Sequence, residues 1–164
     1  MTVVQEFLKA NEAFATAFQK GHLPMPPARR VAVLTCMDAR LDPARFLGLQ
    51  EGDAHVIRNA GGRASEDAIR SVVISEQLLG TNTLVAIHHT DCGMLTFSNA
   101  DLRTKLKQEL KADADEIDFL PFTDLEQSVR DDVATLKASP LILDNVDISG
   151  FIYDVRSGQS LPVT

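Results

Sequence analysis

Long apolar runs are absent from this chain. No stretch of its 164 residues approaches the roughly 20 apolar residues that a membrane-spanning helix needs. Residues 1–20 also lack an unbroken apolar segment, and the acidic residues Glu6 and Glu12 do not suit a signal or transit peptide. We therefore expect a soluble protein that stays in the cytoplasm, where thiols remain reduced.

Positive charge is scarce. Lysine and arginine total 16 against 23 acidic residues, which gives a net charge of −7 and an isoelectric point near 5.0. The only basic cluster, Arg29-Arg30, is too short to bind a polyanion. Nucleic acids and anionic membranes both require clustered lysine and arginine, so neither is expected as a partner.

Aromatic side chains are also few, with eight Phe, one Tyr and no Trp, so they do not indicate the lining of a binding pocket. Hydrophobic residues nevertheless make up 45% of the chain, enough for one sizeable core at this length. The sequence contains no internal repeat and no low-complexity tract. We expect a single domain that spans residues 1–164.

Hydrophobic spacing predicts the order of the main elements. Apolar residues recur every three or four positions within residues 1–20, which predicts an amphipathic N-terminal helix that ends before Gly21. Ser65 is expected to cap a second helix. Apolar segments without alternation predict three strands covered on both faces: Val31–Leu34, Ala54–Ile57 and Thr83–Ile87. Strands that alternate with helices require crossover connections, so we expect an α/β fold with a mainly parallel central sheet and flanking helices.

The last part of the chain is predicted to hold helices and then extended segments. Residues 100–138 form the helical part, with one helix around Leu102–Ala112. A second helix is expected from Thr123-Asp-Leu-Glu126, which has the form of a capping box. Residues 141–164 are expected to form terminal strands, with Leu141–Leu143 and Phe151–Val155 as the extended segments.

Three chemically versatile side chains follow the predicted strands. Cys36, Asn59 and His89 each lie just beyond the carboxyl end of a different strand. Open α/β sheets place their ligand sites at this edge. Side chains that are distant in sequence are therefore expected to converge there, in a metal-site core formed by residues 31–94.

The two cysteines lie in two short motifs, Cys36-Met-Asp38-Ala-Arg40 and His89-Thr-Asp-Cys92. Two cysteines in a cytosolic chain are more often plain core residues, but here the flanking residues favour a metal. Two thiolates and one imidazole are a set that catalytic zinc sites use when the fourth position stays open for water or substrate. The motifs therefore predict a zinc site that activates a water molecule.

Asp38 and Arg40 follow Cys36 at intervals of two residues, so the three side chains can point to one side of an extended loop. The cation of Arg40 favours the ionised form of Asp38, which can then orient zinc-bound water or accept its proton. If this pair breaks, the Asp38 carboxylate could itself bind the metal. Two thiolates cancel the formal charge of Zn²⁺, so we expect activity to rise toward alkaline pH.

Together these motifs resemble the metal-binding pattern of the β-class carbonic anhydrases. The resemblance is carried by Cys36-x-Asp38-x-Arg40, His89-x-x-Cys92-Gly93, Gly52-Asp53 and Arg58-Asn59-Ala60-Gly61. It covers residues 31–94 well and residues 69–80 and 150–155 more loosely. The short chain and the wording His-His-Thr-Asp-Cys-Gly-Met are most similar to a compact branch of that family.

The resemblance implies a role for each motif residue. Cys36, His89 and Cys92 would ligate Zn²⁺, and Asp38 with Arg40 would form the dyad that governs access to the fourth position. Residues expected to line the substrate pocket are Asn59, Ala60, Gly61 and Gly93. From their positions in the sequence, Asp91 between two of these ligands and Arg58 at the adjacent strand end are expected to orient the loop or to hydrogen-bond a ligand. The family's fold is a parallel sheet with an antiparallel extension, and its working unit is a dimer, so a homodimer or a dimer of dimers is expected.

The family's reaction is attack of zinc-bound hydroxide on CO₂ to give bicarbonate, and this is the function expected here. Some members of the wider family hydrolyse carbonyl sulfide or carbon disulfide to H₂S and CO₂, and the zinc motif does not distinguish these linear substrates. A zinc-bearing structural or sensing protein is disfavoured by Arg40, since a structural Asp38 ligand needs no competing cation. A redox protein that joins Cys36 to Cys92 would lack the Cys-x-x-Cys arrangement used for facile exchange.

Two neighbouring features have simpler interpretations. His88 would face away from His89 if the strand continues, so we expect a buried, hydrogen-bonded histidine rather than a proton shuttle. Asp42-Pro43 is expected to start a short helix, with the Asp as cap and the Pro in the first turn.

Overall fold

The computed structural model describes residues 1–163. The helices are α1 (Val3–Ala17), α2 (Pro43–Leu47), α3 (Glu66–Leu79), α4 (Asn99–Leu110) and α5 (Leu125–Ala138). The strands are β1 (Val31–Cys36), β2 (Ala54–Asn59), β3 (Thr83–His89), β4 (Asp147–Tyr153) and β5 (Ser160–Val163). Single 3₁₀ turns occupy Ala60–Gly62 and Gly93–Leu95.

Within residues 1–163 the five strands form one sheet in the order β2-β1-β3-β4-β5. The first four strands are parallel to one another, and β5 runs antiparallel to β4. The expected α/β fold with a mainly parallel sheet and an antiparallel extension is therefore confirmed. Because β1 and β3 lie at the centre, their carboxyl ends meet at the middle of one sheet edge.

The core forms where the central strands meet the helices. Strands β1 and β3 read as near-continuous apolar runs because both of their faces are covered. Fully buried residues of this core include Ala32, Leu34, Leu84, Ala86, Val72 and Leu136. Helices α3 and α5 supply the covering side chains, which makes α5 a direct neighbour of the strand that carries His89.

Two predicted helix starts are present. Asp42 caps α2, with Pro43 in the first turn, and Ser65 caps α3 by accepting a hydrogen bond from the Ala68 amide. A third prediction was wrong by one residue: the cap of α5 is Asp124, not Thr123, and its side chain accepts from the Gln127 amide. Asp and Thr are both good caps, so the sequence alone did not choose between adjacent candidates.

The terminal strands differ from the prediction. Residues 141–143 form turns rather than an extended segment, because this stretch connects α5 to β4 in a few residues. The strand predicted at Phe151–Val155 runs instead from Asp147 to Tyr153, and it lies between β3 and β5. Residue 164, the last of the predicted terminal segment, lies outside the described residues.

Helix α1 begins with a capping box between Thr2 and Gln5, and it ends at Ala17, short of the predicted residue 20. None of its residues is buried, so its apolar side is exposed along the whole length. In the part of the chain that the structure describes, no helix combines the length and apolar character needed to cross a bilayer.

Candidate active site

The three side chains expected to converge are each the last residue of a strand. Cys36 ends β1, Asn59 ends β2 and His89 ends β3, because each strand extends two residues beyond its predicted end. The parallel register places Cys36 opposite Asn59 and aligns β1 with β3. The sheet itself therefore brings the Cys36 and His89 motifs together.

Cys36, His89 and Cys92 form a compact group of possible metal donors. Their side-chain donor atoms all lie within 4.8 Å of one another, and all three residues are buried. His89 Nδ1 lies 2.9 Å from the carbonyl oxygen of Thr90, which fixes the ring. Its Nε2 is buried and has no hydrogen-bond partner among the described residues. Two sulfurs and an orphaned imidazole nitrogen fit a soft divalent metal such as zinc.

Hydrogen bonds prepare the sulfur of Cys36 to carry negative charge. The Gly61 amide donates to Cys36 Sγ at 3.3 Å. The hydrogen bond from Cys92 lowers the pKa of Cys36 to about 4, against the opposing effect of burial. The same contact with Cys36, together with burial, raises the pKa of Cys92. Burial works against protonation of His89, yet the close contact with Cys36 and the charge of that sulfur outweigh burial and raise the pKa of His89.

Asp38 lies beside this donor group and is held by Arg40. Arg40 Nε donates to Asp38 Oδ1 at 3.0 Å, and Arg40 Nη2 donates to Asp38 Oδ2 at 2.8 Å. The Arg40 amide adds a third hydrogen bond to Oδ1 at 2.9 Å. These contacts, with Arg40 the chief cause, hold the pKa of Asp38 well below its usual range. Asp38 Oδ2 lies 3.8 Å from His89 Nε2, so the ionised carboxylate faces the donor group.

Arg58 and Asp91 brace the two motif loops. Arg58 donates from Nε to the carbonyl oxygen of Cys36 at 3.0 Å and from Nη2 to that of Asp38 at 2.7 Å. Asp91 accepts from Arg40 Nη1 at 2.7 Å, and this contact lowers the pKa of Asp91. Both residues therefore contact the first motif, Arg58 through the backbone of that motif and Asp91 through the Arg40 side chain.

A cavity of about 420 Å³ opens onto the donor group. Its lining is mostly apolar and consists of Cys36, Met37, Asp38, Ala60, Gly61, Cys92, Gly93, Met94, Thr96 and Phe97. Three residues expected in a substrate pocket, Ala60, Gly61 and Gly93, are among them. Asn59 is not, because its amide group bonds with the Arg63 backbone in both directions at 2.8 Å. The structure thus places Asn59 as a brace of the loop that follows β2.

That loop passes very close to β1. Gly62 has φ +71°, a left-handed conformation that favours glycine. A Cβ atom at Gly62 would lie 2.9 Å from the backbone nitrogen of Cys36. Only glycine therefore allows the loop to approach closely enough for the neighbouring Gly61 amide to reach the sulfur of Cys36.

His88 faces away from the site, as predicted. It is fully buried, and its Nδ1 lies 2.7 Å from Ser128 Oγ on α5. Its Nε2 lies 3.0 Å from an oxygen of Asp132, which also pairs with Arg63. Sequence reasoning found neither Asp132 nor Arg63, nor the cavity residues Met37, Met94 and Phe97. Arg63, Met37 and Met94 lie close in sequence to motif residues, and this was the only signal that could have identified them. Asp132 is remote in sequence from both motifs, so it gave no such signal.

Comparison with known proteins agrees with this geometry. The family model described as carbonic anhydrase matches residues 31–160. Beta-carbonic anhydrase 1 of Mycobacterium tuberculosis is 42% identical over 170 residues, which cover 100% of this chain and 99% of that protein. The crystal structure of carbonic anhydrase from Streptococcus mutans shares 54% identity at a TM-score of 0.96, covering 100% of this chain and 99% of that one.

A carbon disulfide hydrolase of Saccharolobus solfataricus is also similar, at 36% identity over 177 residues, covering 94% of this chain and 85% of that protein. The similar proteins thus include carbonic anhydrases and carbon disulfide hydrolases, within one structural family. The matched residues include both motif loops and strands β1 to β4, together with the first residue of β5. This chain therefore belongs to the carbonic anhydrase family, in its β class.

Proposed function

We propose that this protein catalyses the zinc-dependent hydration of CO₂ to bicarbonate, as a single zinc-binding α/β domain. One observation carries the proposal: the buried Cys36, His89 and Cys92 donor group lies beside the Asp38–Arg40 pair at the mouth of an apolar cavity. The names of the similar proteins from Mycobacterium tuberculosis and Streptococcus mutans support the same reaction.

Cys36, His89 and Cys92 would hold the zinc ion. When bound, zinc supplies a Lewis acid that makes a potent nucleophile of water near neutral pH. Hydrogen bonds within the chain already position the donor atoms for a cation when no metal is bound. The Gly61 amide donates to the Cys36 sulfur, and the Thr90 carbonyl oxygen fixes the His89 ring so that Nε2 points to the sulfurs.

Asp38 would orient the reacting water and accept a hydrogen bond from it. Because Arg40 keeps the pKa of Asp38 low, the carboxylate stays ionised. It accepts a hydrogen bond from the water but does not retain a proton. The side chain of Asp38 is 18% exposed and that of Arg40 48% exposed, so the released proton has a short path to solvent. If Arg40 moved away, Asp38 would be free to bind the metal and close the site.

The cavity would bind a small apolar molecule. Ala60, Gly61 and Gly93 offer backbone groups close to the donor atoms, and Met94 and Phe97 exclude water from the side of the cavity. CO₂ is linear and carries no net charge, so it requires little more than apolar walls and a few polar groups for orientation.

Hydrolysis of carbonyl sulfide or carbon disulfide at the same site is the second candidate. It is favoured by the 36% identity to a carbon disulfide hydrolase. The polarisable side chains of Met37 and Met94 in the lining also suit sulfur-containing molecules. The chemistry of attack at carbon is common to all three substrates, so the cavity, rather than the donor group, would decide between them.

The deciding experiment measures stopped-flow CO₂ hydration beside carbonyl sulfide and carbon disulfide consumption, on one zinc-quantified preparation, across neutral to alkaline pH. Fast CO₂ hydration with negligible H₂S release supports the carbonic anhydrase assignment. Slow hydration with efficient H₂S release supports the hydrolase. Stoichiometric zinc without turnover of any substrate would favour a structural or sensing role and overturn the proposal.

We further propose that the working unit is a cytoplasmic homodimer or a dimer of dimers. Helix α1 leaves large side chains exposed, including Phe7 at 68% and Leu8 at 60%. An exposed apolar face of this length is typical of a surface that another chain covers. The free thiols of Cys36 and Cys92 suit a reducing compartment. Light scattering coupled to gel filtration tests the assembly, and a monomer at micromolar concentration would overturn it.

A further inference from the structure

A buried polar cluster of Arg63, His88 and Asp132 lies outside the lining of the cavity. Its centre is Asp132 on α5, whose side chain is 5% exposed. Asp132 Oδ2 lies 2.8 Å from Arg63 Nε and 3.0 Å from His88 Nε2, and Oδ1 lies 3.1 Å from Arg63 Nη2. One carboxylate thus contacts both the loop after β2 and the end of β3.

The first contact reaches the sulfur of Cys36 through the loop. Arg63 directly follows Gly61 and Gly62, and its guanidinium also donates to the carbonyl oxygen of Leu120 at 2.9 Å. Arg63 is therefore fixed at its guanidinium and also at its backbone, because Asn59 forms two hydrogen bonds with the backbone of Arg63. Anchoring Arg63 fixes the position from which the Gly61 amide donates to Cys36 Sγ.

The second contact reaches His89 through the strand. Adjacent residues of a strand point to opposite faces, so His88 contacts α5 while His89 faces the donor group. The His88 ring is hydrogen-bonded at Nδ1 to Ser128 Oγ, its Nε2 lies 3.0 Å from Asp132 Oδ2 in a contact that does not meet hydrogen-bond geometry, and the ring stacks on Phe122 at a centroid distance of 5.6 Å. Fixing His88 fixes the peptide unit from which the His89 side chain projects.

The chemistry of this cluster is unusual for a core that serves stability alone. A buried ion pair must offset a large desolvation cost, and apolar residues of similar volume often stabilise a protein equally well. Neighbouring positions on the same face of α5, Val129 and Leu136, are apolar and fully buried. A charged group among them is explained by a requirement for a defined side-chain geometry, because hydrogen bonds fix the relative orientation of their partners and apolar contacts do not.

We propose that Asp132 is a positioning residue for the metal centre, acting through Arg63 on the Gly61 amide and through His88 on the His89 ring. The inference rests on the proposed zinc site but not on the identity of the substrate. Asp132 touches neither substrate nor donor atoms. Its role is to hold two of the groups that surround the metal in one relative position.

The test compares D132N and the double variant R63M/D132L with wild type, and D131N is the matched control. Asp131 is adjacent on α5 but exposed. Zinc affinity is measured by competition with a chromophoric chelator, and the geometry of the site by the thiolate-to-metal absorption of the cobalt(II) protein. Circular dichroism and thermal melting identify folded variants. The double variant leaves no unpaired buried charge, so it is expected to fold even if D132N does not.

We expect about tenfold weaker zinc binding and a shifted cobalt(II) absorption in both Asp132 variants, as for other residues that orient metal ligands, with D131N unchanged. Folded Asp132 variants with wild-type zinc affinity and an unchanged cobalt spectrum would overturn the proposal. Wild-type protein that binds zinc but hydrates no CO₂ would overturn the proposed function alone. Wild-type protein that binds no zinc would overturn both.

Discussion

The Nη1 atom of Arg40 lies 2.7 Å from Oδ2 of Asp91, while the same guanidinium also holds both carboxylate oxygens of Asp38. Asp91 stands between His89 and Cys92 and has φ +55°, so its loop is shaped to present the carboxylate. Arg40 additionally donates to the Asp91 carbonyl oxygen at 2.9 Å. The cation that would keep Asp38 away from a bound metal is therefore itself held by the second motif.

Asp91→Asn is expected to lower CO₂ hydration with zinc content unchanged. The pair is largely exposed, at 48% for Arg40 and 68% for Asp91, so solvent weakens the contact and kcat should fall by no more than about fivefold. Stopped-flow kinetics with metal analysis measures this. Asp67→Asn, which breaks the exposed Asp67–Arg70 pair on α3, is the control and should leave kcat unchanged. A loss of zinc in the Asp91 variant would contradict the prediction.

Asp38→Ala should keep zinc but reduce turnover by about 100-fold, since the variant loses the carboxylate that orients the reacting water and misplacement of a reactant typically costs about that factor. Cys36→Ser and His89→Ala should instead lose both zinc and activity, because each removes a donor from a group of three. Metal analysis and CO₂ hydration on the same preparations separate the two classes. Full activity in the Asp38 variant would remove this residue from the mechanism.

Gly62→Ala is expected to destabilise the protein by about 3 kcal/mol. The substitution combines a strained left-handed φ with a Cβ atom 2.9 Å from the Cys36 nitrogen, where backbone must move. Gly48→Ala is a matched control, because Gly48 has a similar φ of +64° but no atom within 4 Å of a Cβ. It should cost only about 1 kcal/mol. Equal losses in denaturant unfolding would show that the close approach carries no penalty.

Acidification should expose the contribution of Asp132 to stability. Burial raises the pKa of this carboxyl, but the contacts with His88 and Arg63 outweigh burial and lower the pKa below the unfolded value. A lowered folded pKa means that the contribution is complete above the unfolded value of about 3.9 and is lost as the pH falls further. Unfolding free energies between pH 6 and pH 3 should therefore fall less steeply in D132N than in wild type. The same slope in both proteins would contradict this prediction.

Much of the architecture followed from local pattern. Apolar runs such as Val31–Leu34 predicted buried parallel strands, and Asp42 and Ser65 marked helix starts correctly because a cap depends on neighbours within one turn. The terminal strands were located less well. A strand forms only where it has a partner to pair with, as β4 has in β5, and the hydrophobic pattern does not identify such partners. The apolar stretch Leu141–Leu143 was therefore predicted as a strand, although it forms turns.

By itself the sequence determined the family, the fold class and the grouping of Cys36, His89 and Cys92, because these depend on short motifs at the ends of recognisable strands. Only the tertiary structure decided what surrounds that group. Asp132 reaches it through Arg63, 69 positions away in sequence, and Asn59 turns from the cavity to bind the loop backbone. Such contacts form between elements whose packing depends on the whole core. The local sequence pattern therefore does not predict them.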